Sequence, residues 1–183
     1  EFKWGERKWP PRLGMVRDSG VLYHCTGPHG VMKTSNPQCQ ECQIQEGDCG
    51  DYWGLGGAIV DVEGELVDGK PPVHYKKGAE TIQVPQPHLG GRIVKDADHE
   101  KPHGEWNVID VYCLERTSVH VVNGRPVMVL KNSRRKAVDA DGAEKVKPLS
   151  KGRIAFQSEG SELFYRDITI RPITAFPKGV HAD

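Results

Sequence analysis

The stretch that decides the fold of this chain is residues 118–130, SVHVVNGRPVMVL. Valines recur on both sides of Asn123-Gly124, as they do in two half-buried strands. Asn-Gly between two such runs is the strongest short-range signal of a β-hairpin, because both residues tolerate the positive φ that a tight turn needs. We therefore predict an antiparallel hairpin at this position.

The rest of the chain repeats this pattern of short apolar runs between turn residues. Further strands are predicted at 21–25, 40–45, 106–115, 153–158 and 163–171, while 134–150 is interpreted as a charged loop. No segment shows a sustained helical period, and many short strands with turns between them are typical of a sandwich or jelly roll. The predicted fold class is all-β, with two antiparallel sheets. Residues 46–105 are richer in loops, and we interpret them either as functional loops or as ordinary connections.

Composition excludes several classes of function. The 183 residues carry 25 lysines and arginines against 25 aspartates and glutamates, so the formal net charge is zero. A binder of nucleic acid or a polybasic membrane binder needs a basic surplus, which is missing here. No window approaches the roughly 18 apolar residues of a transmembrane helix. The 21 glycines and 13 prolines fit a fold with frequent turns.

Four of the five cysteines fall between residues 25 and 49. They indicate either a local disulfide or metal knot, or free thiols buried on strands. The spacing Cys39-x2-Cys42-x6-Cys49 lacks the second CxxC of a zinc ribbon. A disulfide needs an oxidising compartment, and no secretory signal is visible in the sequence. The chain also lacks an initiator methionine, so we expect it to be processed, truncated or incomplete.

Alternation along the strands predicts a shared polar face. If the apolar residues face the core, then the side chains that point outward include Glu41, Gln43, His120 and Gln157. A curved sheet could gather them on one concave surface, and the alternative is an ordinary solvated face. Glu41 and Glu46 also resemble the carboxylate pair of laminarinase-type glycosidases. Five residues apart on a regular strand places them on opposite faces, so that chemistry would need a β-bulge between them.

Several segments together resemble the 3-keto-disaccharide hydrolase family, which has a concanavalin-like jelly-roll fold. The matching segments, in family order, are 18–23 (DSGVLY), 41–46 (ECQIQE), 104–107 (GEWN), 119–124 (VHVVNG), 152–160 (GRIAFQSEG) and 166–171 (RDITIR). Asp18 and Asp167 stand where the family has asparagine, and the family's first strands are missing. The resemblance implies one jelly-roll domain over 1–183 that lacks its first N-terminal strands, with 46–105 as a loop-rich insert.

The resemblance also implies an activity. The substrate would be a glycoside oxidised at C3 by a separate dehydrogenase. A base removes the C2 proton, the C1 substituent leaves, and water adds. Secretion or a periplasmic location is implied for the same reason. The alternatives are a non-catalytic carbohydrate-binding module and the two-carboxylate glycosidase.

Site residues carry over from the matching segments. His120 is the expected base or acid, and Glu41 and Glu159 are the other catalytic candidates. These three are also the candidate ligands for a divalent ion that would chelate the keto group. The segments supply Gln43, Gln157 and Tyr23 as candidate substrate-binding residues, and the amides suit sugar hydroxyls. Trp53 lies outside the segments, after an acidic stretch; it could form a platform for a sugar ring, and the alternative is core packing under a loop.

Overall fold

A computed structural model describes residues 1–28 and 37–180, and every regular element in those residues is a β-strand. No helix in these ranges is long and apolar enough to cross a membrane. The strands are β1 (Phe2–Lys8), β2 (Asp18–Thr26), β3 (Gln38–Gln45), β4 (Tyr52–Leu55), β5 (Ala58–Val67), β6 (Lys70–Tyr75), β7 (Thr81–Val84), β8 (Arg92–Val94), β9 (Ile109–Leu114), β10 (Thr117–Val122), β11 (Arg125–Val138), β12 (Glu144–Pro148), β13 (Arg153–Phe156) and β14 (Ser161–Tyr165).

The strands form a curled sheet and a small second sheet. The curled sheet runs in the order β13-β2-β3-β4-β8-β6-β5-β11-β10-β9, with β12 beside β11 and β7 beside β5, while β1 pairs with β14. The first part of β5 pairs with β7 and β11, and its last part, from Gly64 onward, pairs with β6. A Cβ at Gly64 would lie 2.6 Å from the carbonyl oxygen of His74, so glycine permits the close approach of β6 at this corner. The predicted all-β jelly-roll sandwich is confirmed.

Several details differ from the sequence-based prediction. The last strand, predicted over 163–171, spans only Ser161–Tyr165. The pairing of β6 with β8 is parallel, so the curled sheet is mixed rather than purely antiparallel. The charged stretch 134–150 is not a loop: β11 continues to Val138, turns at residues 139–143 and returns as β12. Every residue of β12 is exposed, which explains why this hairpin carries no apolar signal in the sequence. The region 46–105 holds five strands, β4 to β8, between its loops.

The predicted Asn-Gly hairpin is present, and it helps to close the core. Asn123 and Gly124 have φ values of 49° and 76° and join β10 to β11. Val122 on β10 and Val127 on β11 then pack with Phe2 and other residues of β1 and β3. Burying one such side chain contributes roughly 1.5–3 kcal/mol, so this contact ties the small sheet to the curled one.

Candidate active site

One face of the curled sheet carries a continuous row of polar side chains. Backbone pairing aligns Gln157 with Gly20, Gly20 with Gln43, and Glu41 with Trp53. Residues that face each other across an antiparallel ladder project to the same side. The row therefore runs from the end of β13 across β2 and β3 to β4, and it contains four of the residues that the sequence proposes as site residues.

Gly20 lies at the centre of this row and leaves room for its neighbours. A Cβ at this position would overlap both the Oε1 atom of Glu41 and the Oε1 atom of Gln157. The two side chains therefore meet directly above the backbone of β2. Any other residue at position 20 would separate them, so the glycine of the DSGVLY segment has a packing reason.

Glu41 is the most perturbed carboxyl of the face. It is only 4% exposed, and its carboxyl makes no hydrogen bond or ion pair with the described residues. Burial raises the pKa of Glu41 to about 8, and the negative charges of Asp18 and Glu159 add to the effect. Glu41 can therefore hold or release a proton near neutral pH, as a general acid or base must.

A charged cluster lies beside Glu41, at the start of β2. The guanidinium of Arg12 donates to both Asp18 and Glu159, and the Gln43 amide donates to Asp18 at 3.0 Å. Burial raises the pKa of Asp18 to about 6, with help from the charge of Glu159 and against the pull of Arg12. The cluster thus brings a third carboxyl and a cation close to Glu41.

The opposite end of the row is formed by the indole ring of Trp53. Trp53 lies directly across from Glu41 and is half-buried, and the next strand contributes Arg92, whose guanidinium lies 6.0 Å from the Trp53 ring centroid. Arg92 is fixed by hydrogen bonds of 2.7 and 3.0 Å to the fully buried carboxylate of Asp51. The Trp53 ring thus lies between an anchored Arg92 and the titratable carboxyl of Glu41, and its flat face suits contact with a sugar ring.

His120 and Tyr23 do not belong to this face. His120 is fully buried inside the curled sheet, against β2 and β4, where its Nε2 lies 3.0 Å from the Tyr23 hydroxyl and its Nδ1 lies 2.9 Å from the Gly50 carbonyl. Only a donor can pair with a carbonyl, so Nδ1 carries the proton and Nε2 accepts from Tyr23. Burial lowers the pKa of His120 to about 4, despite the opposing bond to Gly50. The prediction that His120 points outward with the amides is therefore wrong.

The alternation rule failed at His120 because β10 has no solvated face. Every residue from Ser118 to Val122 is buried. Val119 and His120 project to opposite sides of the strand, and protein covers both sides. A polar residue opposite a valine indicates an outer face only where one side of the sheet meets water.

The candidate metal ligands are not assembled either. Glu41 and Glu159 lie near each other, but His120 belongs to the core network. Among the described residues, no group of three or more histidine, cysteine, aspartate or glutamate side chains is arranged to hold a metal ion. The proposed trio does not fit a divalent ion, so the chemistry of the face is derived below without one.

Glu46 is separated from Glu41 as regular strand alternation requires. It follows β3 and bonds to the backbone and guanidinium of Arg17 and to His103, beside the small sheet. Burial would raise the pKa of Glu46, but the two bonds from Arg17 and the one from His103 lower it. No bulge brings Glu46 to the face of Glu41, so Glu46 cannot be the second carboxylate of a two-carboxylate glycosidase.

Three functional candidates were missed in the sequence analysis. Arg12 lies in the turn after β1, which reads only as a proline-rich connection, and Asp18 was noted only as a departure from the family pattern. Asp18 offered a partial signal, because a carboxylate that stands where the family has asparagine needs a cation nearby. Arg92 carried no signal, because its place depends on the pairing of β8 with β4.

Together these features define a class of protein: an all-β sandwich with a protonatable carboxyl, side-chain amides and a tryptophan on one sheet face, an arrangement suited to sugars. The chain belongs to the family of 3-keto-alpha-glucoside-1,2-lyase-like domains, whose family model matches residues 1–171. This confirms the resemblance seen in the sequence and gives the chain a glycoside-related function. No curated protein and no solved structure matches the chain.

Proposed function

We propose that this protein cleaves 3-keto-glycosides by elimination at the face around Glu41, followed by hydration. The observation that carries the proposal is the Glu41 carboxyl, which is buried, free of hydrogen-bond partners among the described residues and protonatable near pH 8. A carboxyl without hydrogen-bond partners in the part of the chain that the structure describes has no evident role in holding the fold. Its burial costs stability, which is typical of a catalytic group.

The first step assigned to Glu41 is removal of the C2 proton. A ketone at C3 acidifies that hydrogen, because the resulting carbanion is delocalised as an enolate on the C3 oxygen. The C2–H electron pair becomes the C2–C3 double bond, and the C3 carbonyl electrons move to oxygen. Glu41 in its ionised form takes the proton and becomes a neutral carboxylic acid, which its buried surroundings favour.

The negative charge on the enolate needs a nearby cation or donor. Arg12 uses Nη2 for both Asp18 and Glu159, so its remaining N–H groups are uncommitted among the described contacts. We assign Arg12 to stabilise the enolate oxygen, with the Gln157 amide beside it. The charge then collapses to expel the C1 oxygen, and the C1–C2 double bond forms.

The leaving oxygen must receive a proton. We assign this role to Glu41, which passes on the proton it took from C2 and returns to its ionised form, while Glu159, with a side chain that is 37% exposed, keeps its carboxylate on Arg12. Water then adds across the new double bond to complete net hydrolysis. Gln43 and Trp53 bind the sugar, through hydroxyls and ring face respectively. The substrate must come from a reaction that oxidises C3 of a glycoside.

The test uses a 3-keto-glucoside with a chromogenic phenolic aglycone and, in parallel, the unoxidised glucoside. We expect aglycone release from the keto substrate only, together with exchange of its C2 hydrogen in D2O. Glu41→Gln should abolish both signals. Glu65→Gln is the matched control, because Glu65 is an exposed partner of Lys76. Release from the unoxidised glucoside, or binding of glycans without any turnover, would overturn the proposal.

A further inference from the structure

Two of the five thiols lie against each other at the edge of the candidate site. All five cysteines are free, and Cys25 on β2 and Cys39 on β3 share a small buried cluster with Leu22. Cys25 is 3% exposed and Cys39 is fully buried. The two cysteines lie on neighbouring antiparallel strands, and the pairing of these strands holds their backbones close together.

A β-bulge brings the two thiols face to face. Tyr23 pairs with Gln40 and Thr26 pairs with Gln38, so two residues of β2, positions 24 and 25, oppose the single Cys39. His24 supplies the irregularity with a φ of 52°. Opposed residues on antiparallel strands have α-carbons about 4.5–5.5 Å apart, which lies within the 4.4–6.8 Å range that a disulfide spans.

The two sulfurs also interact in the reduced protein. Their shared hydrogen bond lowers the pKa of Cys25 against the effect of burial, with help from Arg153, and it raises the pKa of Cys39. Cys42 and Cys113 differ, because burial alone is the leading cause that raises their pKa values. Cys25 is thus the less completely buried sulfur of the pair and the one whose environment favours the reactive thiolate.

We propose that Cys25 and Cys39 form a reversible modification site, which closes to a cross-strand disulfide when the protein meets a hydroperoxide. The Cys25 thiolate attacks the peroxide oxygen, breaks the O–O bond and becomes a sulfenic acid, and one alcohol or water molecule leaves. Cys39 then attacks the Cys25 sulfur and expels water as the S–S bond forms. The two thiols lose two electrons and two protons, and the hydroperoxide takes them up.

The bond would fix one end of the β2–β3 pair that carries Glu41. Cys39 lies two residues from Glu41 on the same strand. The ring closed by the bond comprises about 15 residues. Because the bond lowers the entropy of the unfolded chain, it should raise Tm by roughly 6–12 °C for a chain of this length. Reduction should reverse the gain. The proposal does not depend on the reaction assigned to Glu41.

The test treats the folded protein with hydrogen peroxide, blocks remaining thiols and maps peptides after digestion with trypsin and a glutamate-specific protease. These cuts place Cys25 in peptide 18–33, Cys39 in 34–41, Cys42 in 42–46 and Cys49 in 47–63. We expect 18–33 joined to 34–41, a mass loss of about 2 Da, and the higher Tm, all reversed by a thiol reductant.

Variants separate this bond from general oxidation. Cys39→Ser should lose both the linked peptide and the Tm gain, whereas Cys113→Ser, which removes the half-buried thiol, should keep both. The peptide map of the unmodified sequence decides the matter even if a variant fails to fold. Recovery of 18–33 and 34–41 as separate blocked or over-oxidised peptides would overturn the proposal, as would a link from 34–41 to any other cysteine.

Discussion

The Glu41 carboxyl and the Gln157 amide oxygen converge above the α-carbon of Gly20, from the two strands that flank β2. The amide oxygen is buried and has no hydrogen-bond partner among the described residues. Two bare oxygen acceptors repel each other, but a protonated carboxyl can donate to the amide oxygen. The pairing therefore agrees with a neutral Glu41, whose pKa burial raises to about 8.

The first prediction concerns stability against pH. The pKa of Glu41 is about 8 in the folded chain and near 4.5 when exposed, so the folded state holds this proton more tightly. The contribution is complete below about pH 4.5 and is lost as pH rises to about 8. The free energy of unfolding of Glu41→Gln, which has no such proton, should exceed that of the parent at pH 8 by on the order of 4 kcal/mol.

Urea unfolding of the two proteins between pH 5 and pH 9 measures this difference. Their other ionisable groups contribute nearly equally to both free energies of unfolding, so these contributions cancel. The gap should open with rising pH and stop growing above about pH 8. A constant gap over the whole range would mean that Glu41 is ionised in the folded protein throughout, against its burial.

The second prediction concerns the rate. If ionised Glu41 removes the C2 proton, turnover of a 3-keto-glucoside should rise with pH and level off above about pH 8. The raised pKa of Glu41 sets the pH at which the rate stops rising. Initial rates at saturating substrate between pH 5.5 and pH 9.5 give the profile. A rate that instead falls above pH 8 would assign Glu41 to proton donation and contradict the base role.

The third prediction tests the space above Gly20. Gly20→Ala places a methyl group where Glu41 and Gln157 meet, so both side chains must move. We expect a loss of kcat of at least about 100-fold, because misplacement of a catalytic group by about 1 Å has that effect. Gly14→Ala is the matched control, since nothing lies within 4 Å of its Cβ position. Equal kcat values for the two variants would show that the convergence is not needed for turnover.

The sequence carried much of the fold but only part of the site. Asn123-Gly124 fixes its hairpin by local backbone preference, and Glu41 and Gln43 share a face through simple alternation. Both signals are local and survive without tertiary information. The regular alternation of side chains along β3 likewise places Glu41 and Glu46 on opposite faces.

The remainder depends on contacts between distant segments. His120 alternates with valines as an outward residue would, yet protein covers both sides of its strand. Arg12 reaches Asp18 and Glu159 only because the turn after β1 folds over the start of β2. Pairing order and coverage of a sheet are set by the whole chain, so alternation within one strand cannot reveal them.

The fourth prediction follows from the interior position of His120. His120→Ala leaves a cavity, removes the partner of the Gly50 carbonyl, and leaves the Tyr23 hydroxyl with Ser118 as its remaining partner. We expect a loss of about 3–5 kcal/mol in the free energy of unfolding. His88→Ala is the control, because His88 is exposed and should change stability by less than about 0.5 kcal/mol. Unchanged stability of His120→Ala would argue against its structural role and restore it as a candidate for the chemistry.

The last prediction concerns the Trp53 ring. Trp53 is half-buried next to Glu41, and the side chain of Arg92 beside it is anchored by Asp51, so the ring has a fixed face to offer a sugar. Trp53→Ala should raise KM for the 3-keto-glucoside about 10-fold or more, because an aromatic contact contributes about 0.5–1.5 kcal/mol beyond the area it buries. Trp106→Ala, which removes a ring stacked on Arg166 away from this face, should leave KM unchanged. A similar KM for both variants would place the sugar elsewhere, and a fall in kcat alone for Trp53→Ala would make the ring a support for Glu41 rather than a platform.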